Sequence, residues 1–326
     1  MVDAPRPPAG VVASILIAAH DAAAFIDGAV SSALAQTCRA VEVIAVDDGS
    51  SDGTHDALAA WARRDGRLTV LRHPQRQGAA AARNTAIAHA KGRWLAVLDA
   101  DDAFLPERIE KLVPLAEAWD ADLLADNLVE QDFETGARLG TAFPAAEITA
   151  EAASGPVGPA RLLRRDRMGV PGRSKFGYLK PIVRRDFLER SGVRYRPGIR
   201  VGEDLLFTFE CVLAGGRFHL APDQALYVYS VREGSVSTGS RTGAIYLSAA
   251  TRRMREVTRR LGDAELDALL RERQRATDSD CFDLAVGTRR FGDALRYARW
   301  ADPARVARRL GLAAGALRQR LFGGGP

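Results

Sequence analysis

The sequence predicts an α/β protein built around a mostly parallel sheet with helices on both faces. The main reason is that short apolar runs alternate with segments of helical periodicity through the first 130 residues. The chain has 326 residues, of which 47% are hydrophobic and 27% charged, a composition typical of a globular protein with a sizeable core. It contains no run of 18 uncharged apolar residues, so we expect no membrane-spanning helix.

The individual elements follow from these patterns in chain order. The apolar run from Val11 to Ala18 predicts the first strand, and the apolar residues of 22–36 have helical spacing. The alanine-dense segment 79–90 predicts a helix ended by Gly92, and Pro106 suits the first turn of a helix that extends to Trp119. Further strands are predicted over 41–46, 68–71, 94–98 and 123–129, with a helix from Ser51 or Asp52 to about Arg64.

The middle of the chain is less regular. Ten glycines and prolines within 131–175 predict a loop-rich insertion, which is a candidate mobile lid. Regular structure is predicted again over 178–190, over the Leu- and Phe-rich helix 204–214, and over two short strands at 218–221 and 225–229. From Tyr246 onward the pattern is helical, with breaks near Gly262, Gly287 and Asp302.

Positive charge is concentrated near the C-terminus. Residues 251–326 hold 17 arginines and 10 acidic residues, a balance of +7, whereas 1–250 hold 29 basic and 31 acidic residues, a balance of −2. In the tail 305–322, apolar residues have helical spacing and most arginines lie off that stripe. This pattern suits an anionic membrane surface. A solvated arginine-rich face, or a helix packed on the rest of the chain or on a partner subunit, explains it equally well.

The cysteines and the N-terminus concern the compartment. Cys38, Cys211 and Cys281 lie far apart, which argues against a disulfide framework or a zinc site and favours a reducing compartment. The first ten residues lack a basic start and an apolar stretch, so we expect no secretory signal and a cytoplasmic protein.

Acidic residues directly follow two of the predicted strands. Asp47 and Asp48 follow the second strand, and Asp99, Asp101 and Asp102 follow the fourth. In such sheets ligands bind beyond the carboxyl ends of the strands. An aspartate there can accept a hydrogen bond from a nucleobase or a ribose, and three acids in four residues suit a Mg²⁺ or Mn²⁺ ion that bridges to a diphosphate. Capped turns are the alternative explanation for both groups.

A third acidic pair, Glu203 and Asp204, opens a predicted helix after Gly202. Carboxylates are stabilised at a helix N-terminus, so capping is one explanation. The other is that an ionised aspartate acts as a general base toward an attacking hydroxyl. Two histidines, His73 and His89, are isolated and are predicted to be surface or packing residues.

Four segments in this order and spacing resemble family 2 glycosyltransferases of the GT-A fold. The resemblance extends over roughly residues 12–235 and depends on SILIAAHD, VDDGSSDGT, QGAAAARNTAIAHAKGRWLAVLDADD and VGEDLLF. A longer segment, GYLKPIVRRDFLERSGVRYRPGIRVGEDLLF, further resembles bacterial exopolysaccharide glycosyltransferases of the succinoglycan type. The resemblance implies a GT-A catalytic domain, a Rossmann-like nucleotide-sugar-binding domain, over 1–240. Its nucleotide-binding half covers about 11–130 and its acceptor half about 131–240, and a basic helical region follows over 241–326.

The resemblance also implies roles for individual residues. Asp204 is implied as the catalytic base and Glu203 as its support. Asp101 is implied as the ligand of Mn²⁺ or Mg²⁺, with Asp102 as the rival ligand. His20 replaces the usual aromatic residue beside the nucleobase. The implied nucleotide-sugar contacts are Ala18, His20, Asp48, Gly78, Arg83, Asn84, Asp99, Ala100 and Arg232, with Tyr229 and Ser235 in the same late stretch.

The implied activity is inverting, metal-dependent and non-processive transfer of a hexose, with glucose as the first candidate, from a UDP-sugar. The acceptor would be a lipid-linked saccharide in exopolysaccharide or surface polysaccharide synthesis, at the inner face of the plasma membrane. We expect no nucleic-acid partner. A nucleotidyltransferase is an alternative, although AAHDAAAF lacks the basic, glycine-rich loop that such enzymes use. A second alternative is a nucleotide-sugar-binding protein that has lost its activity, but the presence of Asp99, Asp101 and Asp204 argues against it.

One further motif is set aside. The segment from Arg296 to Trp300 matches the R-x-x-R-W pattern of processive polysaccharide synthases. It lies about 90 residues after Asp204, too far for the layout of that family, and we attribute the match to chance.

Overall fold

A computed structural model describes residues 10–166, 168, 175–232 and 243–311. These residues form an α/β structure around one sheet. The strands are β1 (Ala13–Ala19), β2 (Val41–Asp47), β3 (Leu68–Arg72), β4 (Trp94–Asp99), β5 (Ala103–Phe104), β6 (Leu123–Asp132), β7 (Arg138–Thr141), β8 (Ile182–Arg184) and β9 (Phe218–Val231).

Helices cover the sheet and form the C-terminal part of the described chain. A short 3₁₀ turn spans Phe176–Tyr178, and residues 303–311 are helical. The α-helices are α1 (Ile26–Leu34), α2 (Thr54–Arg64), α3 (Ala79–His89), α4 (Arg108–Ala118), α5 (Ala145–Ala153), α6 (Pro159–Arg164), α7 (Arg185–Ser191), α8 (Glu203–Leu213), α9 (Gly243–Thr258), α10 (Ala264–Gly287) and α11 (Phe291–Ala298).

The described strands form one sheet in the order β3-β2-β1-β4-β8-β6-β9-β5, with β7 paired to β6. Strands β3, β2, β1 and β4 are parallel to one another, and β6 is parallel to β9. Strand β8 is antiparallel to both β4 and β6, so it joins two parallel sections that run in the same direction. The predicted α/β class with a mostly parallel sheet is confirmed.

Strand β1 lies at the centre of the first parallel section. Its residues Ile15, Leu16 and Ile17 are fully buried, as expected for a strand covered on both faces. The register places Ala18 opposite Val46 of β2 and Asp99 of β4. The carboxyl ends of these three strands therefore meet at one edge of the sheet.

The segment predicted to be loop-rich, 131–175, is more regular than its glycines and prolines suggested. It contains β7, α5 and α6, and the side chains of Phe143, Ile148 and Leu162 are fully buried. Burial of these apolar groups outweighs the local preference for turns, so the prediction was wrong for the residues described. Residues 167 and 169–174 lie outside the described part.

Strand β9 also differs from its prediction. The two predicted short strands are one strand, in which the register to β6 skips from Ala221 to Ala225. Pro222 lies in this bulge, where its missing N–H group removes no bond from the sheet.

The C-terminal helices belong partly to the main core. Met254 of α9 and Leu270 of α10 are fully buried in the same hydrophobic cluster as the sheet residues. A smaller cluster, which includes Phe282 and Tyr297, lies beneath α11. Within the described ranges, no helix is both long enough and apolar enough to cross a lipid bilayer.

Candidate active site

A cluster of charged side chains lies at the carboxyl edge of β1, β2 and β4. Arg83 of α3 is only 4% exposed, and its guanidinium donates to three carboxylates. The distances are 2.6 Å to Asp99 Oδ1, 2.9 Å to Asp204 Oδ1 and 3.0 Å to Glu203 Oε1. Strand β4 and the N-termini of α3 and α8 therefore deliver residues from three distant parts of the sequence to one place.

Lys180 is a second buried cation in this cluster, and it was not predicted from the sequence. Its Nζ lies 2.8 Å from Asp99 Oδ2 and donates a hydrogen bond to Asp204 Oδ2. The available signal was its rarity, since only four of the 46 basic residues are lysines. Arg83 and Lys180 together thus contact both oxygens of Asp99 and both oxygens of Asp204.

Electrostatics in the cluster follow from burial and these contacts. Burial disfavours the charged form of Asp99, but Lys180 and then Arg83 hold the pKa of this carboxyl well below its usual value. Burial also opposes the charge of Lys180, yet Asp204 and Asp99 raise the pKa of the ammonium well above its usual value. Burial, and then the charge of Asp204, raise the pKa of Glu203. Of these two carboxylates, Asp204 contacts two cations and Glu203 contacts one.

The two rival metal ligands have different surroundings. Asp102 is buried and accepts hydrogen bonds from Tyr227 Oη at 2.7 Å and from the backbone N–H of Ser230 at 2.8 Å. Burial, and then the charges of Asp99 and Asp101, raise the pKa of Asp102 well above its usual value, which disfavours the ionised form that binds metal. The side chain of Asp101 is 30% exposed and accepts from Arg232 at 2.8 Å. Asp101 is therefore the more accessible carboxylate.

The potential metal ligands at this edge of the sheet suit a divalent cation that binds together with a substrate. No group of three or more His, Cys, Asp or Glu side chains that could hold a metal ion occurs in the described part of the chain. Mg²⁺ is usually held by one or two carboxylates together with substrate phosphates and water. A single protein ligand such as the carboxylate of Asp101 is therefore enough for such a site.

Asp48 lies in a different kind of environment. It is buried, and its Oδ1 accepts from His73 Nδ1 at 2.7 Å and from the N–H of Gln77 at 2.9 Å, whereas Oδ2 accepts from the N–H of Gly78 at 2.6 Å. Burial opposes ionisation, but these hydrogen bonds, first that of His73, lower the pKa of Asp48. The prediction that His73 is a packing residue misses this contact. Within the described residues, Oδ2 accepts one hydrogen bond, which leaves acceptor capacity on this oxygen.

Gly78 adopts a φ of +97°, which a residue with a side chain would disfavour. This conformation turns the chain into α3 with its N–H directed at Asp48. His20 lies close by, with Nδ1 2.9 Å from the backbone oxygen of Asp48. Ala18 is the penultimate residue of β1 and pairs with Asp99, and Ala100, which directly follows Asp99, is partly buried against the core.

The side chain of Asn84, an implied nucleotide-sugar contact, hydrogen-bonds to the backbone of Tyr195. Its amide donates to the backbone oxygen of Tyr195 at 2.8 Å and accepts from the N–H of the same residue at 2.9 Å. The amide is thus occupied by the chain itself, and it positions the Tyr195 ring, which stacks on Phe207 at 4.1 Å and lies 5.1 Å from the Arg83 guanidinium. Asn84 therefore fixes the position of a ring that packs against the guanidinium of Arg83.

The late stretch of the sequence reaches the same edge. Arg232 pairs with Asp101 and lies 4.4 Å from the ring centre of Phe25, and Tyr229 packs edge-on against Tyr178 at 6.3 Å. The position of Ser235 lies outside the described residues, as does the tail after residue 311.

Comparison with known proteins identifies the family of this chain. The model of the family described as glycosyl transferase family 2 matches residues 14–161. The succinoglycan biosynthesis proteins ExoO and ExoU of Rhizobium meliloti (strain 1021) are 35% identical over 224 residues and 36% identical over 236 residues. The chain belongs to glycosyl transferase family 2. The two alignments cover 69% and 70% of this chain but 62% and 64% of the relatives, so the family 2 chain described here spans less than two thirds of their length.

A shorter match connects this family 2 chain to WfaP of Escherichia coli. That protein is named a UDP-Glc:alpha-D-GlcNAc-diphosphoundecaprenol beta-1,3-glucosyltransferase. It is 36% identical over 121 residues, which are 37% of this chain and 47% of WfaP.

Solved structures share the fold. TarS 1–349 of S. aureus in complex with UDP-GlcNAc has a TM-score of 0.60 at 18% identity, over 83% of this chain and 73% of TarS. The mannosyltransferase PcManGT of Pyrobaculum calidifontis, in complex with GDP-Man and Mn²⁺, has a TM-score of 0.54 at 20% identity, over 99% of this chain and 90% of PcManGT. These likenesses confirm the predicted GT-A type of fold.

Proposed function

We propose that the chain transfers a hexosyl unit from a nucleotide-sugar to a hydroxyl group of a saccharide acceptor, with inversion at the anomeric carbon. The observation that carries this proposal is the convergence of Asp99 of β4 and Asp204 of α8 on the same two cations, Arg83 and Lys180. A carboxylate for the donor and a carboxylate for the acceptor thereby share one site in a family 2 chain.

Asp204 is the proposed general base. It accepts the proton of the acceptor hydroxyl while that oxygen attacks the anomeric carbon, a contribution of typically ~10²–10⁴-fold. A single displacement inverts the anomeric centre, so an α-linked donor yields a β-linked product and no carboxylate nucleophile is needed. Glu203 supports Asp204 through their shared contact with Arg83.

Asp101 is the proposed ligand of Mn²⁺ or Mg²⁺, because it is the accessible member of its pair. When bound, the cation would stabilise the negative charge that develops on the departing nucleoside diphosphate. The Mn²⁺ complex of PcManGT supports this assignment at the level of the fold.

The proposed donor contacts lie around these residues. Asp48 would accept from the nucleobase imide through Oδ2, beside Ala18, His20 and Gly78. Asp99 and Ala100 would face the ribose and the sugar, and Arg232 the diphosphate. A UDP-sugar, with glucose as the first candidate, is favoured by the name of WfaP and by the UDP-GlcNAc complex of TarS.

We propose a lipid-linked saccharide as the acceptor and exopolysaccharide or surface polysaccharide synthesis as the role. The acceptor in the name of WfaP is a diphosphoundecaprenol, and ExoO and ExoU are named for succinoglycan biosynthesis. We also propose that residues 1–240 form the catalytic domain, with halves that meet near residue 130, and that 241–326 form the basic helical region.

Attachment to the inner face of the plasma membrane is part of the same proposal. Phe291 and Leu295 on α11 are 62% and 77% exposed, the highest values among the large apolar residues exposed in the described part of the chain. Arg296 and Arg299 are exposed beside them. Apolar side chains bordered by arginines suit an anionic lipid surface.

An acceptor-dependent assay tests the proposed function. The purified chain is incubated with UDP-, GDP- and ADP-sugars, with and without Mn²⁺, and with a diphosphate-linked lipid saccharide. Release of nucleoside diphosphate that requires both the acceptor and Mn²⁺, strongest with UDP-glucose, is expected. Release that does not depend on any acceptor would contradict the proposal.

A further inference from the structure

Lys180 connects the two sides of the proposed site. Its ammonium contacts Asp99, which ends β4, and Asp204, which opens α8. These carboxylates are 105 residues apart in the sequence, and their oxygens not bound by Arg83 are the ones that contact Lys180. The proposed function uses this lysine only as a shared contact of the two carboxylates and gives it no role in the reaction.

The backbone of Lys180 is fixed by a second buried ion pair. Its carbonyl oxygen accepts from the Arg108 guanidinium at 2.6 Å, and the same guanidinium pairs with Asp126 at 2.8 Å. Arg108 is fully buried and lies 4.3 Å from the ring centre of Phe104. Lys180 therefore extends from a rigid anchor in the core, which is how a positioning group is expected to be held.

Charge balance makes Lys180 decisive for Asp204. If all groups are charged, three carboxylates face two cations, and removal of the lysine would leave three carboxylates facing Arg83 alone. An opposite charge within about 4–6 Å lowers a carboxyl pKa by roughly 1–3 units, so its loss favours protonation. The titratable or charged groups that face Asp204 are Arg83, Asp99, Lys180, Tyr195 and Glu203.

We infer that Lys180 is a positioning residue of the transfer reaction, whose ammonium group aims the Asp204 carboxylate beside Asp99 and keeps it ionised. The inference rests on the proposed function. In the step it serves, the acceptor oxygen forms a bond to the anomeric carbon while the bond from that carbon to the diphosphate oxygen breaks. The electron pair of the broken bond leaves with the diphosphate, and the hydroxyl proton moves to Asp204. Lys180 keeps its protons throughout.

The test is the pH dependence of kcat at saturating donor and acceptor for the wild type, K180M, K180R and K111M. Lys111 is an exposed residue of α4 and provides the matched lysine-to-methionine control. In K180M the acidic limb is expected to move upward by about one pH unit or more. In K180R, which keeps the charge, the limb should stay near its wild-type position, and K111M should match the wild type throughout.

A lower kcat in K180M with an unmoved acidic limb would overturn the inference, because it would indicate only a structural role. K180Q, which is neutral but keeps a hydrogen-bond donor, carries the same expectation if K180M does not fold. Failure of both neutral variants to fold, with K180R folded, would also assign the lysine a structural role and overturn the inference. If the wild type itself shows no acceptor-dependent release with any donor, the proposed function fails, and the inference fails with it.

Discussion

Two pairs of carboxylates at the same edge of the sheet differ in the groups that they contact. Asp99 and Asp204 are held by the side-chain cations Arg83 and Lys180. Asp48 and Asp102 instead accept hydrogen bonds largely from backbone N–H groups, together with His73 and Tyr227 respectively. The first pair thus depends on two side-chain cations, whereas the second is bonded to the N–H groups of Gln77, Gly78 and Ser230.

In the sequence these carboxylates look alike, because all of them are acidic residues near the ends of strands or the start of a helix. Their contacts in the structure distinguish two kinds. We propose that the carboxylates bound to cations act on the reacting groups and that those bound to backbone N–H groups shape the binding surface. We propose that Asp101, which is more accessible than Asp102 and is paired with Arg232, is the carboxylate that binds a divalent cation. Substitutions at four places in the molecule distinguish these roles.

The largest effect is expected at Asp204. D204N keeps the shape of the side chain but removes the base, so acceptor-dependent turnover should fall by about 10²-fold or more. Nucleotide-sugar binding, measured by calorimetry, should stay within a few-fold of the wild type. The matched variant E203Q should lose less, since Glu203 contacts only Arg83 among the two cations. Wild-type turnover in D204N would remove Asp204 from the mechanism.

Substitution of Asp101 should abolish the contribution of the metal. In D101A, addition of Mn²⁺ should no longer strengthen the binding of UDP, and turnover should fall by roughly 10²-fold, a loss of several kcal/mol in transition-state stabilisation. Calorimetric titration of UDP with and without Mn²⁺ measures the first effect. D102N is the control and should keep the Mn²⁺ enhancement. The opposite pattern would make Asp102 the ligand.

A moderate effect is expected at the exposed face of α11. Reversal of two charges in R296E/R299E should reduce cosedimentation with anionic liposomes by ~10-fold or more, given about 1 kcal/mol for each basic residue near such a surface. R259E/R260E makes the same charge change at exposed positions at the end of α9 and should bind more strongly than R296E/R299E. Equal binding by the two double variants would exclude α11 as the attachment surface.

The smallest effect is expected at Asp48. Because its pKa is lowered in the folded chain, its charge stabilises the fold above the ordinary aspartate pKa, and this contribution is lost as the pH falls through the folded-state value. D48N should therefore lower the free energy of unfolding at pH 7 by about 1–2 kcal/mol, with a difference that shrinks below pH 4. Thermal unfolding from pH 3 to pH 8 measures this. D56N, at an exposed position of α2, should show no such trend.

The sequence made it predictable that Asp48 and Asp99 lie at the same edge of the sheet. Parallel strands align their carboxyl ends, so residues after apolar runs must lie close together, and the resemblance added Asp204 to the same place. Lys180 was not predictable in this way, because its partners are fixed by the path of the chain through β8 and not by local spacing. The contact of Asn84 with the backbone of Tyr195 was not predictable either, because these residues lie far apart in the sequence.

A crystal structure of the chain with UDP and Mn²⁺, in which the anomalous signal locates the metal, would test the proposed roles of these carboxylates. We expect the manganese on the carboxylate of Asp101 and on the diphosphate, with Asp204 still in contact with Lys180 and open toward the acceptor side. Manganese bound to Asp102 or to Asp204 would contradict the division of labour between the two groups of carboxylates.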